Sequence, residues 1–414
     1  MAKEEQKIRI RIEDLSVIFG RRKKDAKNLV QQNKSKEDIL KQTGCTVAVN
    51  KANFNIKEGE IFVVMGLSGS GKSTLIRCIN RLLMPTNGKV IVDDEDIMNA
   101  SKNKLMHLRR TKFGMVFQNF GLLPHRTVAS NVAFGLEVQG VNEEKRIETA
   151  HKVIKTVGLE GYEDKMTGEL SGGMQQRVGL ARALANDPPV LLMDEAFSAL
   201  DPLIRTNMQD ELLDLQERLQ KTIVFITHDL DEALKLGDRI AIMKDGKIVQ
   251  IGTPEDILTN PADDYVKAFV EDVDRSDIVT ANTIMHRNPT LVDLKKDGAE
   301  MILRKMNKAG INVLPVIDEA DKFIGFIDDE GASKLRKKEV DSIHDIIHEY
   351  SASVYEDTPV SEIIPIFKHA SFPIAVVNHD KKLKGLVIHS AVVKEVVGRE
   401  QKEIENIIKE GYNI

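Results

Sequence analysis

Three runs of consecutive apolar residues mark buried strands: Ile61-Phe62-Val63-Val64-Met65, Val190-Leu191-Leu192-Met193 and Ile223-Val224-Phe225-Ile226. Strands that are apolar at every position suit a parallel sheet covered on both faces. Helical patterns alternate with them, so residues 1–245 predict an α/β domain. Residues 120–186 read as mostly helical and predict a subdomain inserted between the first and second of these strands. Asp245-Gly246 is a hairpin turn signal between Ile240-Ala241-Ile242-Met243 and Ile248-Val249. Residues 246–276, punctuated by Pro254 and Pro261, read as connector helices.

From 277 to 400 the pattern repeats. Val313-Leu314-Pro315-Val316-Ile317 leads through a polar turn to Phe323-Ile324-Gly325-Phe326-Ile327, and 60 residues later Pro373-Ile374-Ala375-Val376-Val377 leads to Leu383-Lys384-Gly385-Leu386-Val387. A helical stretch precedes each pair, at 299–309 and 360–369, and another candidate helix follows. Offset, turn and glycine coincide, which favours a duplicated β–β–α unit over unrelated hairpins. Copies at about 277–340 and 341–400, sharing one core, and a tail at 401–414 are the expected arrangement.

Composition narrows the class. The apolar set AVILMFWYC makes up 42% and charged residues 30%, a balance of a globular chain rather than a disordered one. The net charge of −5 makes no case for nucleic acid as a partner. No apolar run approaches the ~18–20 residues of a membrane-spanning helix. The charged start, 1–11, lacks the apolar core of a secretory signal. Cys45 and Cys78 are too few for a disulfide framework or a metal site. The expected location is the cytoplasm, with any membrane crossing left to a partner.

The chemistry-bearing segment is Gly66-Leu67-Ser68-Gly69-Ser70-Gly71-Lys72-Ser73-Thr74, between a strand and the helical pattern of 75–83. This is the context of a phosphate-binding loop. Glycines let the backbone bend so that successive N–H groups face one anion. The helix beginning near Lys72 adds the positive end of its dipole. Lys72 can reach β- and γ-phosphates, and the Ser73 hydroxyl is placed to ligate Mg²⁺. Asp194 ends an apolar strand, where a carboxylate can hold the metal through water. Glu195 follows as candidate general base for the attacking water. His228 ends the third strand, at the edge where open α/β sheets bind ligands. Alone it reads as structural; among these motifs it reads as a hydrogen-bond donor to the γ-phosphate.

Leu170-Ser171-Gly172-Gly173-Met174-Gln175-Gln176-Arg177, between the phosphate loop and the acidic strand, resembles the signature motif of ATP-binding cassette (ABC) ATPases. The resemblance implies a P-loop NTPase fold with an inserted helical subdomain, ATP and Mg²⁺ as cofactors, and ATP hydrolysis. It implies that Ser171, Gly172 and Gly173 cap the γ-phosphate of the nucleotide held by a second copy of the chain. Met174 stands where Gln is commoner. Gln118 matches the residue that senses Mg²⁺ and the attacking water. Ser198-Ala199-Leu200-Asp201 matches the loop crossing the dimer interface. Phe19, in Ile18-Phe19-Gly20, matches the aromatic that stacks on adenine, with core packing as its other reading.

Four further features resemble the ATPases of glycine betaine/proline betaine importers. They are Asn119-Phe120-Gly121-Leu122-Leu123-Pro124-His125, the Met174-Gln175-Gln176-Arg177 form of the signature, the form of the segment from Glu195 to Leu203, and the polar insertion at 21–44. In that subfamily the C-terminal repeats form a tandem cystathionine-β-synthase (CBS) module of α+β type. The implied partners are a second copy, a transmembrane permease docking at 120–125, and a substrate-binding protein fused to the permease or separate. The implied location is peripheral, on the cytoplasmic face of the membrane. Another importer substrate, a non-transport cassette ATPase and a nucleotide-sensing protein are the alternatives. The complete Asp194, Glu195 and His228 set argues against a pure sensor.

Regulation is expected in the CBS module. Adenine-nucleotide binders there carry Thr or Ser and, three residues on, Asp after the second strand. Asp328-Asp329-Glu330-Gly331 and Ile388-His389-Ser390-Ala391 both depart from that pattern, which argues against simple AMP or ATP sensing. The resemblance to bacterial osmolyte transporters implies cyclic di-AMP as a candidate ligand. Lys334-Leu335-Arg336-Lys337-Lys338 reads either as a solvated helix face or as a salt-sensitive contact with an anionic membrane surface. Arg21-Arg22-Lys23-Lys24 reads as a solvated part of the insertion.

Overall fold

A six-stranded sheet organises the first part of the chain, in the order Lys247–Gly252, Arg239–Lys244, Ile61–Met65, Thr222–Thr227, Val190–Asp194, Phe113–Phe117. The structure, a computed structural model, describes residues 7–271, 276–349, 352–367, 370 and 372–396. Its contacts divide it into two units, Met1–Val270 and Glu271–Ile414.

Four of the sheet's pairings are parallel and only the hairpin Arg239–Lys244/Lys247–Gly252 is antiparallel. Ile61–Met65, Val190–Asp194 and Thr222–Thr227 are buried at every position, as continuous apolar strands require. Phe113–Phe117 carries no such run, because Gly114 interrupts it. A Cβ there would lie 2.8 Å from the Ala183 carbonyl oxygen, so close backbone packing excludes a larger residue. The helices Val128–Val138, Glu143–Thr156 and Gly172–Leu184 fall between this edge strand and its neighbour Val190–Asp194.

A second, antiparallel sheet runs Thr46–Lys57, Ile8–Phe19, Asn87–Val92, Glu95–Asp96. One apolar cluster joins it to the first sheet, with Phe54 stacked on Phe62 at 5.0 Å and Leu75, Ile76 and Ile79 of the phosphate-loop helix fully buried. That helix, Lys72–Ile79, ends before the expected residue 83, and exposed Leu82 lies beyond it. The insertion at 21–44 folds as helices Lys23–Gln31 and Lys36–Thr43 over a small core of Ile18, Ala26, Val30, Ile39, Cys45 and Val47.

The expected connector helices at 246–276 need correction. Lys247–Gly252 is the edge strand of the large sheet, because Asp245 (φ +48°) and Gly246 (φ +82°) form a tight turn that pairs it with Arg239–Lys244. Helices Pro254–Thr259, opened by a Thr253–Asp256 capping box, and Asp264–Val270 follow within the first unit.

The second unit contains two similar sheets. In one, Val313–Ile317 pairs parallel with Val292–Asp293 and antiparallel with Phe323–Asp328. In the other, Ile374–Val377 pairs parallel with Ser353–Tyr355 and antiparallel with Leu383–Val387. The edges are exchanged: His286 bridges Leu386 of the later copy, and His348 bridges Phe326 of the earlier. The copies do not share a single core. Each has its own apolar cluster, and a third, small one gathers Phe326, Ala375 and Leu386. The helix expected at 360–369 spans Val360–Phe367; residues 368 and 369 and the tail 401–414 lie outside the described residues. Among the described residues, no helix is long and apolar enough to cross a membrane.

Candidate active site

The phosphate loop leaves the buried strand Ile61–Met65 and enters the helix Lys72–Ile79. Two glycines make the bend possible. A Cβ on Gly66 would lie 2.2 Å from the Met243 carbonyl, and one on Gly71, at φ +111°, would lie 2.0 Å from the Ala48 carbonyl. Lys72 Nζ donates to the carbonyls of Gly66 at 2.8 Å and Leu67 at 3.2 Å. Burial holds the Lys72 pKa below its ordinary value, against the opposing attraction of Glu195 and Asp194. Anionic phosphates arriving here would favour the charged ammonium.

Parallel strands that end together bring the acidic residues to the loop. Asp194 and Phe117 are register partners, so Gln118 emerges beside Asp194 and Glu195. Ser73 Oγ donates to Asp194 Oδ1 at 2.9 Å, and Arg77 stands 3.9 Å from the other carboxylate oxygen. A hydroxyl beside a carboxylate is an all-oxygen donor set that fits Mg²⁺. Glu195 adopts φ +48°, and its N–H donates to the Ile226 carbonyl at 3.0 Å. Its carboxylate meets three groups: Gln118 Nε2 at 3.2 Å, His228 Nδ1 at 3.4 Å and Lys72 Nζ at 3.8 Å. A cavity of about 230 Å³ opens here, lined by Ser68, Gly69, Lys72, Ser73, Thr74 and Glu195 among others. Ser70 is buried; its carbonyl accepts the Gly246 N–H at 2.9 Å. Phe19, 43% exposed, ends its strand opposite Thr46, which lines the same cavity.

The signature residues are positioned elsewhere. Ser171 caps the helix Gly172–Leu184 by accepting the Met174 N–H at 3.4 Å. A Cβ on Gly172 would meet Leu200 at 3.7 Å and Phe120 at 3.8 Å, and one on Gly173 would meet Ile204 at 2.7 Å. The segment thus packs against the start of the helix Pro202–Leu219 rather than lining the cavity. Asp201 stands at the N-cap of that helix without a side-chain capping bond.

Two contacts had no signal in the sequence motifs. Lys36, from the insertion, donates to the Gly69 carbonyl at 3.1 Å and lines the cavity. Tyr265, on the helix Asp264–Val270, has its hydroxyl hydrogen-bonded by the Leu67 backbone and placed 3.4 Å from the Met243 carbonyl. Both lie far from the loop in sequence.

The ABC transporter family profile matches residues 49–198, and the CBS domain profile matches 270–334 and 343–398. The glycine betaine/carnitine transport ATP-binding protein GbuA of Listeria monocytogenes is 50% identical over 95% of this chain and 98% of its own length. The glycine betaine transport ATP-binding protein OpuAA of Bacillus subtilis is 51% identical over 97% and 95%. The chain belongs to the ATP-binding subunits of ABC transporters. As an ABC subunit it is an ATPase coupled to transport, and its fold class is a P-loop cassette followed by CBS domains. The dimeric cassette MJ0796, solved in a post-hydrolysis state with ADP and Pi, is 33% identical over 59% of this chain and 98% of its own, with a TM-score of 0.50. CbiO1 of Clostridium perfringens, part of an ABC transporter complex, aligns with a TM-score of 0.52 at 28% identity, over 62% of this chain and 93% of its own. ABC ATPases of this kind dimerise and work with transmembrane permease subunits.

Proposed function

We propose that the chain energises import of glycine betaine or a related quaternary amine osmolyte, bound peripherally through a permease to the cytoplasmic face of the membrane. The full-length likeness to GbuA and OpuAA supports the substrate class. The observation that carries the ATPase chemistry is the meeting of Lys72, Gln118 and His228 on the Glu195 carboxylate.

In the mechanism, Phe19 stacks on adenine and the amides of 66–74 hold the phosphates. Ser73, Gln118 and Asp194 would hold Mg²⁺, which neutralises charge on the β- and γ-phosphates. Glu195 takes the proton from a water held by Gln118 as that water attacks the γ-phosphorus and the bond to the β–γ bridging oxygen breaks, releasing ADP and phosphate. His228 donates a hydrogen bond to the γ-phosphate. Ser171, Gly172 and Gly173 of a second copy close the site, with Asp201 in the crossing loop, so hydrolysis removes the bridge that holds two copies together. Phe120, Leu122 and Leu123 are only partly buried and provide apolar surface for a permease, whose substrate-binding protein is fused or separate.

Regulation by ionic strength and by cyclic di-AMP belongs to the C-terminal unit in this reading. Lys334 is paired with Glu330 at 2.6 Å and Lys337 lies 4.0 Å from Glu339, so Arg336 and Lys338 carry the cluster's attraction for an anionic membrane. Asp328 already caps its own helix through Gly331 at 2.7 Å and meets His348 at 3.1 Å, so its carboxylate is engaged; cyclic di-AMP is proposed from the likeness to osmolyte-transport subunits. The test is ATPase activity in vesicles holding the cognate permease. Glycine betaine should stimulate it, and an Arg336→Gln/Lys338→Gln variant should shift its salt threshold. Activity indifferent to quaternary amines would remove the substrate assignment; an unmoved threshold would remove the salt switch.

A further inference from the structure

We propose that Lys36 is a nucleotide-binding residue, through which the insertion contacts the α- or β-phosphate. The observation is a second lysine in the cavity wall, contributed by a segment outside every cassette motif.

The insertion fixes this side chain. Ser35 caps the helix Lys36–Thr43 by accepting the Asp38 N–H at 3.1 Å, and Ile39 anchors it in the cluster with Ile18, Cys45 and Val47. These three anchors flank Phe19, Thr46 and Ala48, of which Thr46 and Ala48 line the cavity. Lys36 therefore stands on the same rigid frame as the adenine-stacking residue.

Its position separates it from Lys72. Lys72 lies within 4 Å of Glu195, at the end where the γ-phosphate must be attacked. Lys36 instead meets the Gly69 carbonyl, and the cavity it lines also includes Thr46, the register partner of Phe19. Its ammonium is donated to the Gly69 carbonyl, and among the described residues it has no carboxylate partner within salt-bridge distance. A neutral carbonyl is a weaker acceptor than a phosphate oxygen. An incoming nucleotide would take over that donor, releasing the Gly69 carbonyl and tying the insertion to the bound ligand.

The proposal rests on the phosphate loop being the nucleotide site, which Lys72→Ala tests separately. Binding of ATP, ADP and adenosine to the full chain is measured by competition with a fluorescent ADP derivative. Lys36→Ala should weaken ATP and ADP alike, about tenfold, the scale of one partly exposed charge-assisted hydrogen bond, and leave adenosine unaffected. Lys36→Arg should restore most of the affinity, and Lys41→Ala, on the same helix, should bind as the unaltered chain does. Normal ADP affinity in Lys36→Ala, or an equal loss for adenosine, overturns the proposal. Normal affinity in Lys72→Ala as well would overturn the phosphate-loop site itself, whereas a loss in Lys72→Ala alone would reject only Lys36.

Discussion

Glu195 sits at φ +48°, a left-handed conformation that a glutamate holds only when its surroundings impose it. Its amide is tied to Ile226, and its carbonyl accepts the Ser198 hydroxyl at 2.9 Å. These bonds aim the carboxylate back at Lys72, Gln118 and His228. Glu195→Gln preserves the size and most of the hydrogen bonding but removes the proton acceptor. We expect phosphate release to fall by roughly 10²–10⁴-fold, with equilibrium ATP binding retained. Normal turnover would eliminate Glu195 as the base. Lys72, Glu195 and His228 were legible in the sequence, because each directly follows an apolar strand or opens a helix at a recognisable motif; Gln118 was named only by the family resemblance, since the strand before it carries no apolar run. Lys36 was not legible, because nothing in the spacing between 21 and 44 reveals which lysine the insertion turns toward the loop.

At the scale of elements, the helix Asp264–Val270 has a role that composition conceals. It reads as a connector, yet Tyr265 reaches the Leu67 backbone of the phosphate loop, and Lys244 stacks over the Tyr265 ring at 4.3 Å. Burial pushes the Tyr265 hydroxyl above its ordinary pKa, and the hydroxyl donates to the Met243 carbonyl at 3.4 Å. Tyr265→Phe deletes these bonds and keeps the ring. We expect a stability loss of about 0.5–1.5 kcal/mol by chemical denaturation, together with weaker ATP binding. A stability loss with unchanged nucleotide affinity would mean that the helix is only a support. Strands buried on both faces announce themselves as apolar runs, which is why the central strands were readable. The edge strand Phe113–Phe117 was not, because Gly114 and its packing against Ala183 matter more there than hydrophobicity.

For the whole molecule, the decisive feature is separation. Ser171, Gly172 and Gly173 pack near Phe120, Leu200 and Ile204, while the cavity is lined by Lys72, Ser73 and Glu195. If two copies exchange these halves, their defects should complement. Lys72→Ala and Ser171→Arg chains should each be inactive alone. Mixed, they can form one interface that joins an intact phosphate loop from the Ser171→Arg chain to an intact signature from the Lys72→Ala chain. ATPase assays on the mixture should therefore show activity that neither variant has. No recovery, with mixed dimers demonstrated by pull-down, would contradict the shared site.

The amino-acid order by itself determined the buried strands, the phosphate loop, the acidic strand end and the internal duplication. These are local: each is written in periodicity or in a run of adjacent residues, whose backbone preferences act without help from distant chain. Tertiary structure alone decided the rest. It chose which strand flanks which, set the locally written hairpin at 245–246 on the edge of the large sheet, gave each repeat its own core with exchanged edges, and brought Lys36 and Tyr265 to the loop. Those outcomes depend on packing between segments that are not neighbours in sequence, as with Lys36 and Gly69, 33 residues apart, and complementary shape leaves no periodic trace in either segment.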